Sequence, residues 1–226
     1  MSVEENLEAV VVKGFRILNR EERYNTSLYF GPSEAAEAEF RAALQLRPDC
    51  YSAYLGLGQC YAYRPNQYED AIRAFEQARL LHPEEPAPYY HMGLTYLHAG
   101  ERNLLLFGLD PFKEALKCFE TALSLGYVPK AWLFNHIGTN HFRMGSYTEA
   151  VEWFEKSFDT LKKESGWIPS TFFLAAQANE NLGLFAEAIK WYERYIEEGK
   201  LGDVEEITQR IKFLESLPEM NKQEPS

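Results

Sequence analysis

The histidines are the residues of this chain that could most readily hold a metal ion or transfer protons. They are His82, His91, His98, His136 and His141. Their spacings of seven and five residues on successive helical stretches do not give the i, i+4 pair of a zinc-protease helix, and no HExxH is present. The sequence also contains no glycine-rich phosphate loop and no GxSxG motif. We therefore predict no catalytic residue, no metal site, no cofactor and no enzymatic activity.

The cysteines point to a reducing compartment. Cys50, Cys60 and Cys118 are odd in number, lie inside helical patterns and show no CxxC spacing. The amino terminus is acidic before its first apolar residues, which is the reverse of a secretory signal. No stretch reaches the roughly 18 apolar residues that a membrane span needs. We therefore expect buried, unreactive thiols and a cytoplasmic protein.

The charge of the chain restricts its partners. Its 226 residues carry a formal net charge of -11, with a pI near 5.0. Nucleic acids and anionic membranes are bound through clustered Lys and Arg, so both are disfavoured here. A neutral or basic protein or peptide is the partner that we expect.

The stretch 131–158 predicts a helical hairpin. Apolar and small residues recur at i, i+3, i+4 and i+7 in both of its halves, which is helical periodicity. Met144 and Gly145 separate the halves, and Ser146 with Glu149 has the spacing of a capping box that begins the second helix. Gly138, in the first helix, is expected to be a close-packing site where a leucine would destabilise the hairpin by about 1–3 kcal/mol.

The second helix of this hairpin recurs through the chain, with a small residue followed four positions later by an aromatic one. The pairs are Ala36 and Phe40, Ala71 and Phe75, Ala115 and Phe119, Ala150 and Phe154, and Ala188 and Tyr192. This pattern resembles the tetratricopeptide repeat, a helical hairpin of about 34 residues, over roughly residues 7–198. The resemblance implies an all-α fold, a right-handed α-solenoid of about five helix pairs in which one helix of each pair lines a concave surface.

The repeat phase predicts a single solenoid domain over residues 1–217. The repeats are expected at about 3–48, 50–83, 86–127, 130–164 and 168–199, followed by a capping helix at 203–217 and a disordered tail at 218–226. A capping box of Asp203 and Glu206 should begin the capping helix. Asn66, with Glu69, is expected to cap the second helix of repeat two.

Two apolar extensions interrupt the repeat pattern at the same turn of repeats one and three. They cover about residues 22–31 and 101–110. Their apolar residues are Leu28, Tyr29 and Phe30 in the first, and Leu104, Leu105, Leu106, Phe107 and Leu109 in the second. We expect both extensions to fold back onto neighbouring helices and to lean over repeat two. Contact with a partner or with a second copy is the alternative that remains open.

One face of the first helices is not needed for stacking the repeats. It carries aromatic, aliphatic and amide side chains, the mixture that is enriched in protein interfaces. The candidate partner-binding residues, named here the candidate stripe, are Gln59, Tyr63, Tyr90, Leu94, His98, Trp132, Asn135, Thr139, Phe142, Arg143, Phe173, Gln177 and Asn181.

The resemblance implies a role for this stripe. Tetratricopeptide repeat proteins generally act as interaction scaffolds that hold a peptide or helix of a partner in the concave groove. One subgroup clamps carboxylates with basic residues on this face, but here Arg143 is the only basic side chain of the stripe besides His98. We therefore predict a scaffold or adaptor without a carboxylate clamp. The alternative is a structural protein that forms homo-oligomers through its apolar extensions.

Overall fold

The computed structural model of the chain describes residues 2–24, 34–164, 168–198 and 204–217. Within these residues the secondary structure is helical, apart from one isolated bridge between Leu106 and Leu109. The helices are α1 (Val3–Tyr24), α2 (Glu34–Leu46), α3 (Tyr51–Ala62), α4 (Tyr68–Leu81), α5 (Pro86–Glu101), α6 (Pro111–Ser124), α7 (Lys130–Arg143), α8 (Tyr147–Glu164), α9 (Pro169–Asn181), α10 (Phe185–Glu198) and α11 (Val204–Ser216). No helix in the described ranges combines the length and the apolarity that crossing a bilayer requires.

Consecutive helices pack as pairs, α1 with α2, α3 with α4, α5 with α6, α7 with α8, and α9 with α10. The chain divides into two compact units, Met1–Tyr127 and Val128–Ser226. In the first unit α3 also contacts α1 and α5, and in the second unit α7 contacts α9. Within each unit, one pair is therefore covered by the next along the chain, as expected for a helical repeat. A single domain over residues 1–217 stays a prediction.

The repeated aromatic residues form the centre of each pair. Phe40, Phe75, Phe119 and Phe154 are fully buried, and Tyr192 is 2% exposed. Each phenylalanine ring lies directly against a glycine of the preceding helix. A Cβ atom at Gly138, for example, would lie 2.8 Å from the ring of Phe154, too close for two carbon atoms. Gly138 is thus confirmed as a close-packing site, and the glycine and aromatic positions are linked because one ring needs the space that one missing side chain leaves.

The end of α7 explains why a glycine follows the first helix of the hairpin. The amide of Gly145 donates to the carbonyl of Phe142, and the amide of Ser146 donates to that of His141. Gly145 has a φ of 79°, a left-handed conformation that costs glycine little. These bonds satisfy carbonyls that the helix leaves unpaired, so the predicted helix end at Met144 and Gly145 is confirmed.

The predicted cap at Asn66 is wrong. Asn66 lies inside a 3₁₀ turn, Pro65–Gln67, and the residue that precedes α4 is Gln67, whose side chain makes no capping bond. Pro65 favours the first position of this turn because it lacks an amide hydrogen, and the amide of Gln67 then bonds to the carbonyl of Arg64. Helix α4 therefore begins two residues beyond Asn66.

Several predictions fall outside the described residues. Residues 25–33, which include most of the first extension, are not among the described residues. Neither are Asp203 of the predicted capping box and the tail at 218–226.

The second extension differs from its prediction. Leu106 is 5% exposed, but Leu104, Leu105, Phe107 and Leu109 have exposures of 38% to 67%. The amide of Leu109 donates to the carbonyl of Leu106 at 3.0 Å, closing a tight turn with left-handed residues at its tip. The expected burial is therefore confirmed for Leu106 and is wrong for Leu104, Leu105, Phe107 and Leu109. The loop does reach repeat two, since the guanidinium of Arg73 on α4 lies 5.4 Å from the ring centre of Phe107.

Candidate functional site

In the first unit, part of the candidate stripe forms open surface. Tyr63 is 51% exposed, His98 is also exposed, and Leu94 is half-buried. Gln59 is half-buried as well, with its amide nitrogen 2.8 Å from the imidazole Nε2 of His91. Tyr63, Leu94 and His98 are therefore the members of the stripe that a partner could most readily contact in this unit.

Tyr90 belongs to the interior of the first unit. It is 7% exposed, and its ring stacks on Tyr127 with 4.0 Å between ring centres. Burial raises the pKa of Tyr90 above its ordinary value and raises that of Tyr127 to about 12. Burial also lowers the pKa of the neighbouring His91 to about 4, so this imidazole is neutral at pH 7. The cluster is an uncharged packing layer with little surface for a ligand.

In the second unit, two members of the stripe are structural hydrogen-bonding groups. Asn135 is 2% exposed and donates from Nδ2 to Oγ1 of Thr171 on α9 at 2.9 Å. The hydroxyl of Ser170 donates to Oδ1 of Asn135 at 3.3 Å. Thr139, 9% exposed, donates to the backbone carbonyl of Asn135. A buried amide needs hydrogen-bond partners to offset its lost hydration, and Asn135 finds them on α9. Its bonds therefore join α7 to α9.

Four of the remaining stripe residues of the second unit lie around a groove with a volume of about 860 Å³. Phe142, Phe173, Gln177 and Asn181 line it. Helix α9 also contributes Pro169, Ser170 and Glu180. Helices α10 and α11 supply the rest of the wall, namely Tyr192, Tyr195, Glu206, Ile207, Gln209, Arg210 and Phe213. Trp132 and Arg143 do not line this groove, although Trp132 is 43% exposed and the exposed Arg143 lies 6.0 Å from the ring centre of Phe142.

A polar cluster at Glu180 holds three helices of the groove together. The hydroxyl of Tyr192 donates to Oε1 of Glu180 at 2.6 Å, and Nε of Arg210 donates to the same oxygen at 3.2 Å. A second guanidinium nitrogen of Arg210 pairs with Oε2, which makes the contact bidentate. Burial, reinforced by the bond to Glu180, raises the pKa of the Tyr192 hydroxyl. The wall formed by α11 is thus fixed to α9.

Sequence reasoning missed the contribution of α11, which it assigned to covering the last repeat. Ile207, Ile211 and Leu214 do pack into the core as expected. The missed residues lie on the other side of the helix, where Phe213 is 50% exposed. A phenylalanine outside the apolar face of a terminal helix was the signal that could have indicated a second role.

The groove offers binding surface and little reactive chemistry. Among the described residues no group of three or more His, Cys, Asp or Glu side chains is placed to hold a metal ion. Cys50, Cys60 and Cys118 form no disulfide, and burial raises the pKa of Cys118 to about 12. That thiol is protonated at pH 7 and is therefore a poor nucleophile.

The chain consists of successive helix pairs, and in each pair a buried aromatic residue packs against a small one. This arrangement defines an α-solenoid repeat protein. Models of the tetratricopeptide repeat match residues 28–66, 61–101 and 169–198. The chain is a tetratricopeptide repeat protein, and its fold is the all-α solenoid of that family.

Relatives and solved structures agree with this assignment. The chain is 30% identical over 125 residues to Superkiller protein 3 of Schizosaccharomyces pombe, a match that covers 54% of this chain and 8% of that protein. The structure of the APC/C hetero-tetramer Cut9–Hcn1 matches 92% of this chain and 36% of that one, with a TM-score of 0.67 and 16% identity. A thermophilic repeat protein of Thermus thermophilus matches 93% of this chain and all of its own, with a TM-score of 0.62 and 16% identity. The chain spans less than a third of the curated relatives it matches.

Proposed function

We propose that this chain is a non-catalytic scaffold that binds a peptide or helix of a partner protein in the groove of the second unit. The observation that carries the proposal is the groove itself, which combines exposed aromatic rings with amide side chains at its wall. Phe173 is 37% exposed and Phe213 is 50% exposed, on helices that are otherwise well packed. Aromatic residues in such positions are enriched among the residues that dominate binding energy in protein interfaces.

The size of the groove favours a peptide segment over a single side chain. Its volume of about 860 Å³ lies within the roughly 300–1,000 Å³ of pockets that bury small ligands. Helices bound in apolar grooves insert side chains at i, i+3, i+4 and i+7, so several anchors would enter together. In the first unit, Tyr63 and His98 are exposed and Leu94 is half-buried, so each is accessible to a partner of that unit.

The family supports the same class of function. Tetratricopeptide repeat proteins act in protein–protein interaction, and one similar structure is itself part of a hetero-tetramer. No catalysis is included in the proposal, in line with the mainly non-catalytic character of the family. Three cysteines that form no disulfide favour a reducing compartment such as the cytoplasm as the place of this interaction.

The test of the scaffold is a comparison of proteins captured by the wild type and by a Phe142→Ala, Phe173→Ala double variant. We expect the double variant to lose its partner while circular dichroism shows the helical content of the wild type, with a moderate loss of stability because Phe142 packs against the core of the second unit. The control is a Leu105→Ser, Phe107→Ser variant, which changes two exposed apolar side chains outside the groove. Equal capture of every partner by the groove variant and the wild type would contradict the proposal.

Self-association through the second extension is the other candidate, and the exposure of its apolar side chains favours it. Leu104, Leu105, Phe107 and Leu109 together present an apolar surface on an ordered turn. If the extension holds two copies together, the Leu105→Ser, Phe107→Ser variant should change from dimer to monomer in light scattering. A wild-type chain that remains monomeric at about 100 µM would rule this candidate out.

A further inference from the structure

The charged side chains that line the groove differ in whether they already form an ion pair. In the described part of the chain they are Glu180, Glu206 and Arg210. Glu180 and Arg210 form a bidentate ion pair, and the Glu180 side chain is only 11% exposed. Both members are therefore committed to each other and to joining α9 with α11.

Arg210 is consequently a poor receptor for an anionic ligand. Its guanidinium would have to leave a buried carboxylate, and separating such a pair is costly because one charge remains in the interior without compensation. Arg143, the other nearby cation, lies over the ring of Phe142 and is not part of the groove wall. The groove thus lacks a cation that is placed to take a partner's carboxylate.

Glu206 differs from Glu180. It lines the groove, is exposed, and has no cation within ion-pair distance among the described residues. With Glu180 neutralised by Arg210, the groove wall carries one net negative charge, on a chain with a net charge of -11. Such a field attracts cations and repels acidic segments before contact.

We propose that the groove selects partner segments in which large apolar side chains are accompanied by a lysine or arginine. Glu206 forms an ion pair with this cation. The proposal rests on the scaffold function proposed above. The apolar side chains enter between Phe142, Phe173 and Phe213, where burial supplies affinity. The cation pairs with Glu206 at the rim, where it supplies specificity and a faster association. Amphipathic basic segments fit this surface, and acidic carboxyl-terminal tails do not.

The experiment is a selection of random 12-residue peptides displayed on phage against the immobilised full chain. Four proteins are compared, the wild type, Glu206→Lys, Glu205→Lys and Phe173→Ala. Glu205 is the matched control because it is the exposed neighbour of Glu206 in the first turn of α11 and does not line the groove. Its reversal makes the same change in net charge and in the helix terminus.

The wild type and Glu205→Lys should both enrich apolar peptides that carry Lys or Arg, whereas Glu206→Lys should enrich Asp or Glu at the same spacing from the apolar residues. A peptide selected on the wild type should bind about two- to fivefold more weakly to Glu206→Gln in fluorescence anisotropy, as expected for an ion pair at a rim.

The remaining outcomes separate the two proposals. Peptides that require Phe173 but show the same charge preference on Glu206→Lys and Glu205→Lys would overturn the role of Glu206 and leave the scaffold function standing. Equal loss of basic peptides on both lysine variants would also overturn it, because net charge alone would then explain the preference. If no selected peptide requires Phe173, the groove function and the cation preference both fail.

Discussion

Tyr90 and Phe173 occupy the same position of their repeats, yet they have different roles. Tyr90 is the fourth residue counted from Ala87 on α5, and Phe173 is the fourth counted from Ser170 on α9. Tyr90 is 7% exposed and stacks on Tyr127, whereas Phe173 is 37% exposed and lines the groove. Asn135, at the equivalent position of repeat four, is buried and bonded to Thr171. The position of a residue in the repeat thus sets the direction in which its side chain leaves the helix. Whether that side chain is buried or exposed depends on which other residues of the chain pack on the same face.

The neighbours account for each case. Tyr127 follows α6 and covers Tyr90 within the first unit, and Thr171 at the start of α9 covers Asn135. Phe173 belongs to the last complete repeat, where α11 forms the opposite wall and leaves a groove. The last repeat of a stack lacks a full successor, so its stripe remains accessible.

The strongest test of this comparison is alanine at the two aromatic positions. Tyr90→Ala should lower the free energy of unfolding by about 3 kcal/mol, because it removes a buried ring and leaves a cavity. Phe173→Ala should lower it by about 1 kcal/mol or less, because its ring is partly hydrated already. Urea denaturation followed by circular dichroism measures both values. Similar losses at the two positions would show that Phe173 is core and that the groove is closed in solution.

Asn135→Ala should have the next largest effect, about 2 kcal/mol, because it removes a buried amide and leaves the buried Thr171 hydroxyl with only its longer contact to Ser157. The matched control is Asn181→Ala. The Asn181 side chain donates to the carbonyl of Gln177 one turn earlier, but it is exposed and should contribute about 0.5 kcal/mol or less. A stable Asn135→Ala protein that has lost partner binding would instead make Asn135 a contact residue.

The smallest expected effect is a change in how the free energy of unfolding depends on pH. It tests whether the layer around Tyr90 is buried. The pKa of His91 is about 4 in the folded chain, against about 6.5 when unfolded. Between these values the unfolded chain binds more protons, so the contribution of His91 is complete above about pH 6.5 and declines as the pH falls toward 4.

His91→Gln should therefore flatten the dependence of the unfolding free energy on pH in this window. Identical pH profiles for His91→Gln and the wild type would mean that His91 is hydrated and that the layer around it is open.

Much of the fold could be predicted from the sequence because its signals are local. Helical periodicity, the glycine at position 145 and the spacing of Ala150 to Phe154 each depend on contacts within one hairpin. The prediction failed at Asn66, where a proline turn moved the helix start, and at the second extension. There, a composition rich in leucine indicated burial, whereas the loop closes as a tight turn between Leu106 and Leu109 and only Leu106 among its apolar side chains is buried.

The candidate stripe was predicted with less success for a different reason. Periodicity identifies the face on which Tyr90, Asn135 and Phe173 lie, since that face follows from helix geometry alone. It does not indicate which residues from distant parts of the chain meet that face.

The helix pairs, the aromatic residues buried in them and the direction of the stripe follow from local sequence, because each depends on residues within a few turns of one another. Three contacts become visible only in the folded chain: Tyr127 covers Tyr90, Thr171 bonds to Asn135, and Arg210 on α11 pairs with Glu180. These contacts join residues 30 to 37 positions apart. Burial and charge pairing at such distances depend on how packed helices are placed, which no local pattern encodes.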